Sequence, residues 1–219
     1  AIVVFPQSSD IDTPLLTRWR SGGPDATRAL RILDEVEQHY VVDPARRVLA
    51  GWSMGGYGVW SLAAAEPSRW SACIPVSGGG YPATASQITS PIWAIHGSED
   101  RAIPPERSEE MGAAVVNAGG RAQVTVLPQI AHDAWRAAFL SPAVRSWMLG
   151  GGGSLQNNDQ LLRDAAESVV NGQTEALDGE FRPAVVMPRA VSLRIGADAM
   201  RTVAYGVPSV VDESMLHGT

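Results

Sequence analysis

Apolar residues alternate along this chain between two spacings. Short, mostly apolar runs at residues 1–5, 47–50, 70–76, 92–95 and 123–127 have the length and branched content of buried strands. Between them the apolar positions recur every three or four residues, as on one face of a helix. The clearest case is 25–40. Pro24 suits a first helical turn, and Ala26, Ala29, Leu30, Leu33, Val36 and Tyr40 share a face. Asp34, Glu35, Glu37 and Gln38 form the solvated side, and His39 closes the helix. Further helices are predicted over 57–65, 106–117 and 135–149. Pro104-Pro105 opens the second and Gly119-Gly120 closes it, and Ser141-Pro142 interrupts the third. Strand and helix in steady alternation predict an α/β fold, a mostly parallel sheet with helices on both faces.

The pattern changes at Gly150-Gly151-Gly152-Gly153-Ser154, a flexible linker and the strongest boundary in the chain. It divides a core of residues 1–149 from a segment of 155–219. That segment holds one amphipathic helix, 158–170, and then short strand-like runs split by Pro183, Pro188 and Pro208. A linker of this composition also occurs in engineered joins, so fragment, permutant and fusion are all open.

Composition narrows the function. With 45% hydrophobic residues in 219 the chain can bury a sizeable core. A net charge of −6 without basic blocks argues against nucleic acid as a partner. No apolar run approaches the roughly 20 residues of a membrane span, so a soluble protein is expected, a secreted or periplasmic one included. Cys73 is the single cysteine and lies in an apolar run, which suits a core residue better than a reactive thiol. No histidine or carboxylate cluster has metal-ligand spacing and no phosphate loop opens a helix, so no cofactor is implied.

The chemistry gathers at Gly51-Trp52-Ser53-Met54-Gly55, a G-x-S-x-G pattern between a strand-like and a helix-like run. A serine on such a turn is held clear of the sheet edge, and the flanking glycines are expected where a Cβ would collide with neighbouring backbone. The N–H of Met54 would face a developing oxyanion. A serine hydroxyl is nearly inert at neutral pH unless a base takes its proton and a third group orients that base. Ser53, Asp100 and His132 each follow a predicted strand, so a parallel sheet would bring them to one edge. Glu99 and Asp133 compete with Asp100 for the acid, and His96 with His132 for the base. Trp19 lies in a loop that could be a surface lid or a wall of the site. Trp52 and Trp135 are further candidate walls.

The stretch from Val42-Asp43-Pro44 to Gly51-Trp52-Ser53-Met54-Gly55-Gly56-Tyr57-Gly58 resembles α/β-hydrolase esterases of the polyhydroxybutyrate-depolymerase, feruloyl-esterase and prolyl-oligopeptidase-like group. So do Phe5-Pro6-Gln7, Pro91 to Asp100 with its His96-Gly97, and His132-Asp133-Ala134-Trp135. The resemblance covers residues 1 to about 149. It implies Ser53 as nucleophile, Asp100 as acid, His132 as base, and hydrolysis of small-molecule or polymer carboxylic esters through an acyl-enzyme. Members of the group carry further strands before the position of Ala1, and a His-Gly loop there supplies a second oxyanion donor. Three readings of that missing part and the tail are open. Residues 155–219 could replace it, since they end in Leu216-His217-Gly218-Thr219. A second chain could complete the sheet. The tail could instead be a separate module. A peptidase, or a non-catalytic scaffold without a complete oxyanion hole, are the alternative readings.

Overall fold

A computed structural model describes residues 2–9, 12–150, 152 and 158–171. The chain divides into Ala1–Ala176 and Leu177–Thr219, and the second unit lies wholly outside the described residues. So do Gly153-Ser154 and the strand-like runs expected after Gly172.

The sheet has four parallel strands, β1 (Val48–Trp52), β2 (Ala72–Val76), β3 (Ile92–Gly97) and β4 (Ala122–Leu127), in that spatial order. Helix α1 (Pro24–His39) precedes β1, α2 (Met54–Ala65) joins β1 to β2, and α3 (Glu106–Asn117) joins β3 to β4. The β2–β3 connection carries only a 3-10 segment, Pro82–Gln87. Crossovers that all step the same way with the same hand put their helices on one face of a sheet. The other face therefore needs a different cover. Helices α4 (Trp135–Leu140), α5 (Pro142–Leu149) and α6 (Asn158–Val170), which follow β4, provide it.

Alternate residues of β2 and β3 serve the two faces. Cys73, Ile92 and Ala94 pack with Val59, Trp60 and Ala63 of α2 and with Met111 and Val115 of α3. Ala72, Ile74, Val76, Trp93 and Ile95 pack with Ala137, Val144, Trp147, Leu162 and Ala166. Although it follows the glycine-rich stretch, α6 thus buries its apolar side in the same core. Its Asp159 accepts from Thr125 of β4, Arg163 bonds both Asp159 (2.9 Å) and the Val126 carbonyl (3.1 Å), and Thr125 accepts from the Trp93 indole at 2.9 Å.

The strand expected at 1–5 does not form. Residues 2–9 join no ladder, and Ile2, Val3 and Phe5 are exposed. Branched residues favour a strand only where a neighbour offers hydrogen bonds. Here the segment is held at its polar end instead. Buried Asp25 of α1 accepts from the Ser8 hydroxyl (2.5 Å) and the Ser9 N–H (3.2 Å) and pairs with Arg28, which also bonds the Gln7 carbonyl. The acidic side of α1 is likewise more than solvated, because Glu37 takes a two-pronged contact from Arg47 (2.5 and 2.7 Å) and Asp34 pairs with Arg69. Ile32, not Tyr40, is buried on that helix.

Cys73 is fully buried at the sheet centre, and burial pushes its thiol up to about 12 despite a hydrogen bond with Ser90. Ellman's reagent is expected to leave the folded protein unmodified at pH 8 and to titrate one thiol in denaturant. Among the described residues no helix is long and apolar enough to cross a membrane.

Candidate active site

Strand β1 ends at Trp52 and α2 begins at Met54, so Ser53 must reverse the chain in a single residue. It does so at φ 56°, ψ −117°, backbone angles that side-chain-bearing residues rarely adopt. Its N–H is tied to the Val76 carbonyl of β2 (2.9 Å) and its carbonyl accepts from Tyr57 in α2 (3.2 Å). Two glycines make the turn possible. A Cβ on Gly51 would lie 2.4 Å from the Gly55 carbonyl oxygen, and one on Gly56 2.7 Å from that of Val76. Gly55, the second glycine of the pattern, meets nothing within 4 Å in the direction of a Cβ. The close approach belongs to its neighbour, Gly56, which seats α2 against β2.

The Ser53 side chain makes no cap with α2 and turns to His132, whose Nε2 lies 2.9 Å from its Oγ. His132 Nδ1 lies 2.8 Å from Asp100 Oδ2. The three side chains, from the ends of β1, β3 and β4, form one hydrogen-bonded line. The loops after β3 and β4 reach this register because they are fastened together. Ser98 and Glu99 donate backbone N–H groups to Leu127 and Ile130, both at 2.9 Å, and Gln129 donates to the Ser98 hydroxyl. Gly97 permits the crossing, since a Cβ there would lie 2.1 Å from the Ala131 carbonyl oxygen. Glu99 and Asp133, the rival acids, are exposed.

Asp100 is almost fully buried. Burial opposes its charge. Hydrogen bonds from the Ile103 N–H, from His132 and from the Ala102 N–H, together with the field of His132, outweigh that, so its carboxyl sits below the usual aspartate range. His96 is buried beside it, 3.2 Å from Asp100 Oδ2, and does not touch Ser53's partner nitrogen.

Of the three tryptophans considered as walls, Trp52 lies against His132 and Trp135 lies beside Trp52. The Trp52 indole donates to the His132 carbonyl (2.7 Å), and its ring centroid lies 5.2 Å from that of His132 and 6.1 Å from that of Trp135. Both residues keep about two-fifths of their surface exposed, 41% and 40%. Trp19 packs on α2 instead: a Cβ on Gly58 would fall 2.5 Å from the Trp19 Cβ. Met54 is the first residue of α2, where a backbone N–H has no carbonyl within the helix to bond. His217 and Gly218 lie outside the described residues. Among the described residues no group of three or more His, Cys, Asp or Glu could hold a metal ion.

A parallel sheet covered on both faces, with a serine turned out between its first described strand and the following helix, has the arrangement of the α/β-hydrolase fold. Residues 28–134, just under half of the chain, match the family model described as "Putative esterase", so this segment is similar to that family. The bifunctional acetylxylan esterase/xylanase XynS20E of Neocallimastix patriciarum is 28% identical over 109 residues, 49% of this chain and 16% of that protein. Among solved structures, a thermostable esterase superposes with TM-score 0.57 at 24% identity, over 64% of this chain and 39% of its own. Uncomplexed Pyrococcus horikoshii acylaminoacyl peptidase gives TM-score 0.50 at 16% identity, over 71% and 28%. The chain therefore spans well under half the length of these relatives.

Proposed function

We propose that this segment hydrolyses carboxylic esters through an acyl-enzyme. The observation that carries the reading is the hydrogen-bonded line Ser53–His132–Asp100 within a segment that matches an esterase family. Ser53 Oγ attacks the ester carbonyl carbon while His132 Nε2 takes its proton. Asp100 holds the Nδ1–H of that ring and stabilises the imidazolium that forms. The Met54 N–H bonds the oxyanion as the carbonyl becomes tetrahedral. His132 then protonates the departing alcohol, and a water molecule, deprotonated by the same nitrogen, releases the acid and restores the serine.

Small-molecule esters and ester groups on polymers are the substrate class, with Trp52 and Trp135 lining the approach. The family match favours ester over peptide bonds. Parallel assays test this. The reading expects turnover of p-nitrophenyl acetate and little turnover of a peptide p-nitroanilide; the reverse order contradicts it.

Trp52 has a second use, since its indole N–H braces the His132 backbone. Trp52→Phe keeps a ring against His132 and loses that bond. A neutral hydrogen bond contributes about 1 kcal/mol, so kcat/KM for p-nitrophenyl acetate is expected to fall about 5-fold. Trp52→Ala, which also removes the ring, is expected to fall further.

A further inference from the structure

We propose that His96 is a positioning residue for Asp100: it contacts the same carboxylate oxygen as His132 and keeps Oδ2 aimed at the His132 ring. The inference rests on the Ser53–His132–Asp100 reading above and deepens it.

His96 lies at the end of β3 and is fully buried. Its Nε2 faces two acceptors, the Ile103 carbonyl at 2.9 Å and Asp100 Oδ2 at 3.2 Å, so Nε2 carries a proton. Its Nδ1 lies 2.8 Å from Ser108 Oγ on α3, a hydroxyl that also lies 2.7 Å from the Gly78 carbonyl and has one proton for the two. Burial holds the imidazole below the usual histidine range, in keeping with a neutral ring whose proton the two acceptors keep on Nε2.

The carboxylate is thus held at both oxygens. Oδ1 accepts from the Ala102 and Ile103 N–H groups, each at 2.9 Å. Oδ2 lies between the two imidazoles, 2.8 Å from His132 and 3.2 Å from His96. Ile103 closes the ring, because its N–H bonds Oδ1 and its carbonyl accepts from His96. A histidine needed only for packing could be satisfied by Ile103 and Ser108 alone. The third contact falls on the oxygen that orients His132, so a change at His96 reaches the reacting groups through Asp100.

The experiment is a mutant cycle on p-nitrophenyl acetate, with each protein assayed well below its own Tm. His96→Phe is expected to lower kcat about 10- to 100-fold, the range for one hydrogen bond to a charged group, with KM within about 2-fold. His96→Gln keeps an N–H near the Nε2 position and is expected to recover to within about 5-fold of the wild type. In an Asp100→Ala background His96→Phe should cost less than about 2-fold more, since both act through one carboxylate. Ser108→Ala, a milder change, should lower kcat about 3- to 10-fold in the parent and leave Asp100→Ala unaffected, which carries the test if His96→Phe does not fold. Equal losses in both backgrounds would assign His96 to the fold alone and overturn the proposal, as would folded His96→Phe or Ser108→Ala at full rate. Asp100→Ala at full rate would instead sink the three-residue reading, and the role of His96 with it.

Discussion

Ser53→Ala is expected to lower kcat/KM for p-nitrophenyl acetate by about 10⁴-fold or more while leaving the fold intact. The Oγ bonds His132 and makes no cap with α2, so its loss removes the proposed attacking atom and little packing. His132→Ala should cost a similar factor, because an unassisted hydroxyl is a poor nucleophile. The double variant should be no worse than the poorer single one. Groups that act as a unit in one step are strongly non-additive, and two independent losses would multiply. Steady-state rates of the three variants, with circular dichroism as the folding control, decide between these outcomes.

The second large effect is on stability, at the three glycines around the serine turn. Gly51→Ala drives a methyl group to 2.4 Å from the Gly55 carbonyl oxygen, and Gly56→Ala to 2.7 Å from that of Val76. Both obstacles are backbone in packed elements, so neither can swing aside. Each substitution is expected to cost about 2–4 kcal/mol, read as a lower urea midpoint. Gly55→Ala meets open space inside α2 and should be neutral or stabilising by up to about 1 kcal/mol, since alanine is the better helix former. The contrast is sharp because Gly55 is the position the G-x-S-x-G pattern names, and Gly56 is not part of it.

That glycine pair shows how far sequence carries in this protein. Features that depend on neighbours along the chain were readable. Pro142 splits α4 from α5, Pro105 precedes α3, and the alternation of runs foretells the parallel sheet. Features that depend on a partner far along the chain were not. Residues 2–5 look like a buried strand, but branched side chains carry no information about whether a ladder stands beside them. Glu37 and Asp34 fall on the outer side of a helical wheel, and their arginines, Arg47 and Arg69, come from outside that helix.

At the site, order along the chain named Ser53, Asp100 and His132 but left Glu99, Asp133 and His96 in contention. In the structure Glu99 and Asp133 are exposed, and His96 is buried 3.2 Å from Asp100 Oδ2. The bond from the Trp52 indole to the His132 backbone joins positions 80 residues apart, and no local pattern announces it.

The central claim is that His132 makes the Ser53 hydroxyl an attacking group. A fluorophosphonate probe followed by peptide mass mapping tests it most directly. The account predicts one label per folded chain, on Ser53, with labelling lost in His132→Ala. A folded wild-type chain that takes up no label, carries it on another serine, or labels equally well without His132 would contradict it.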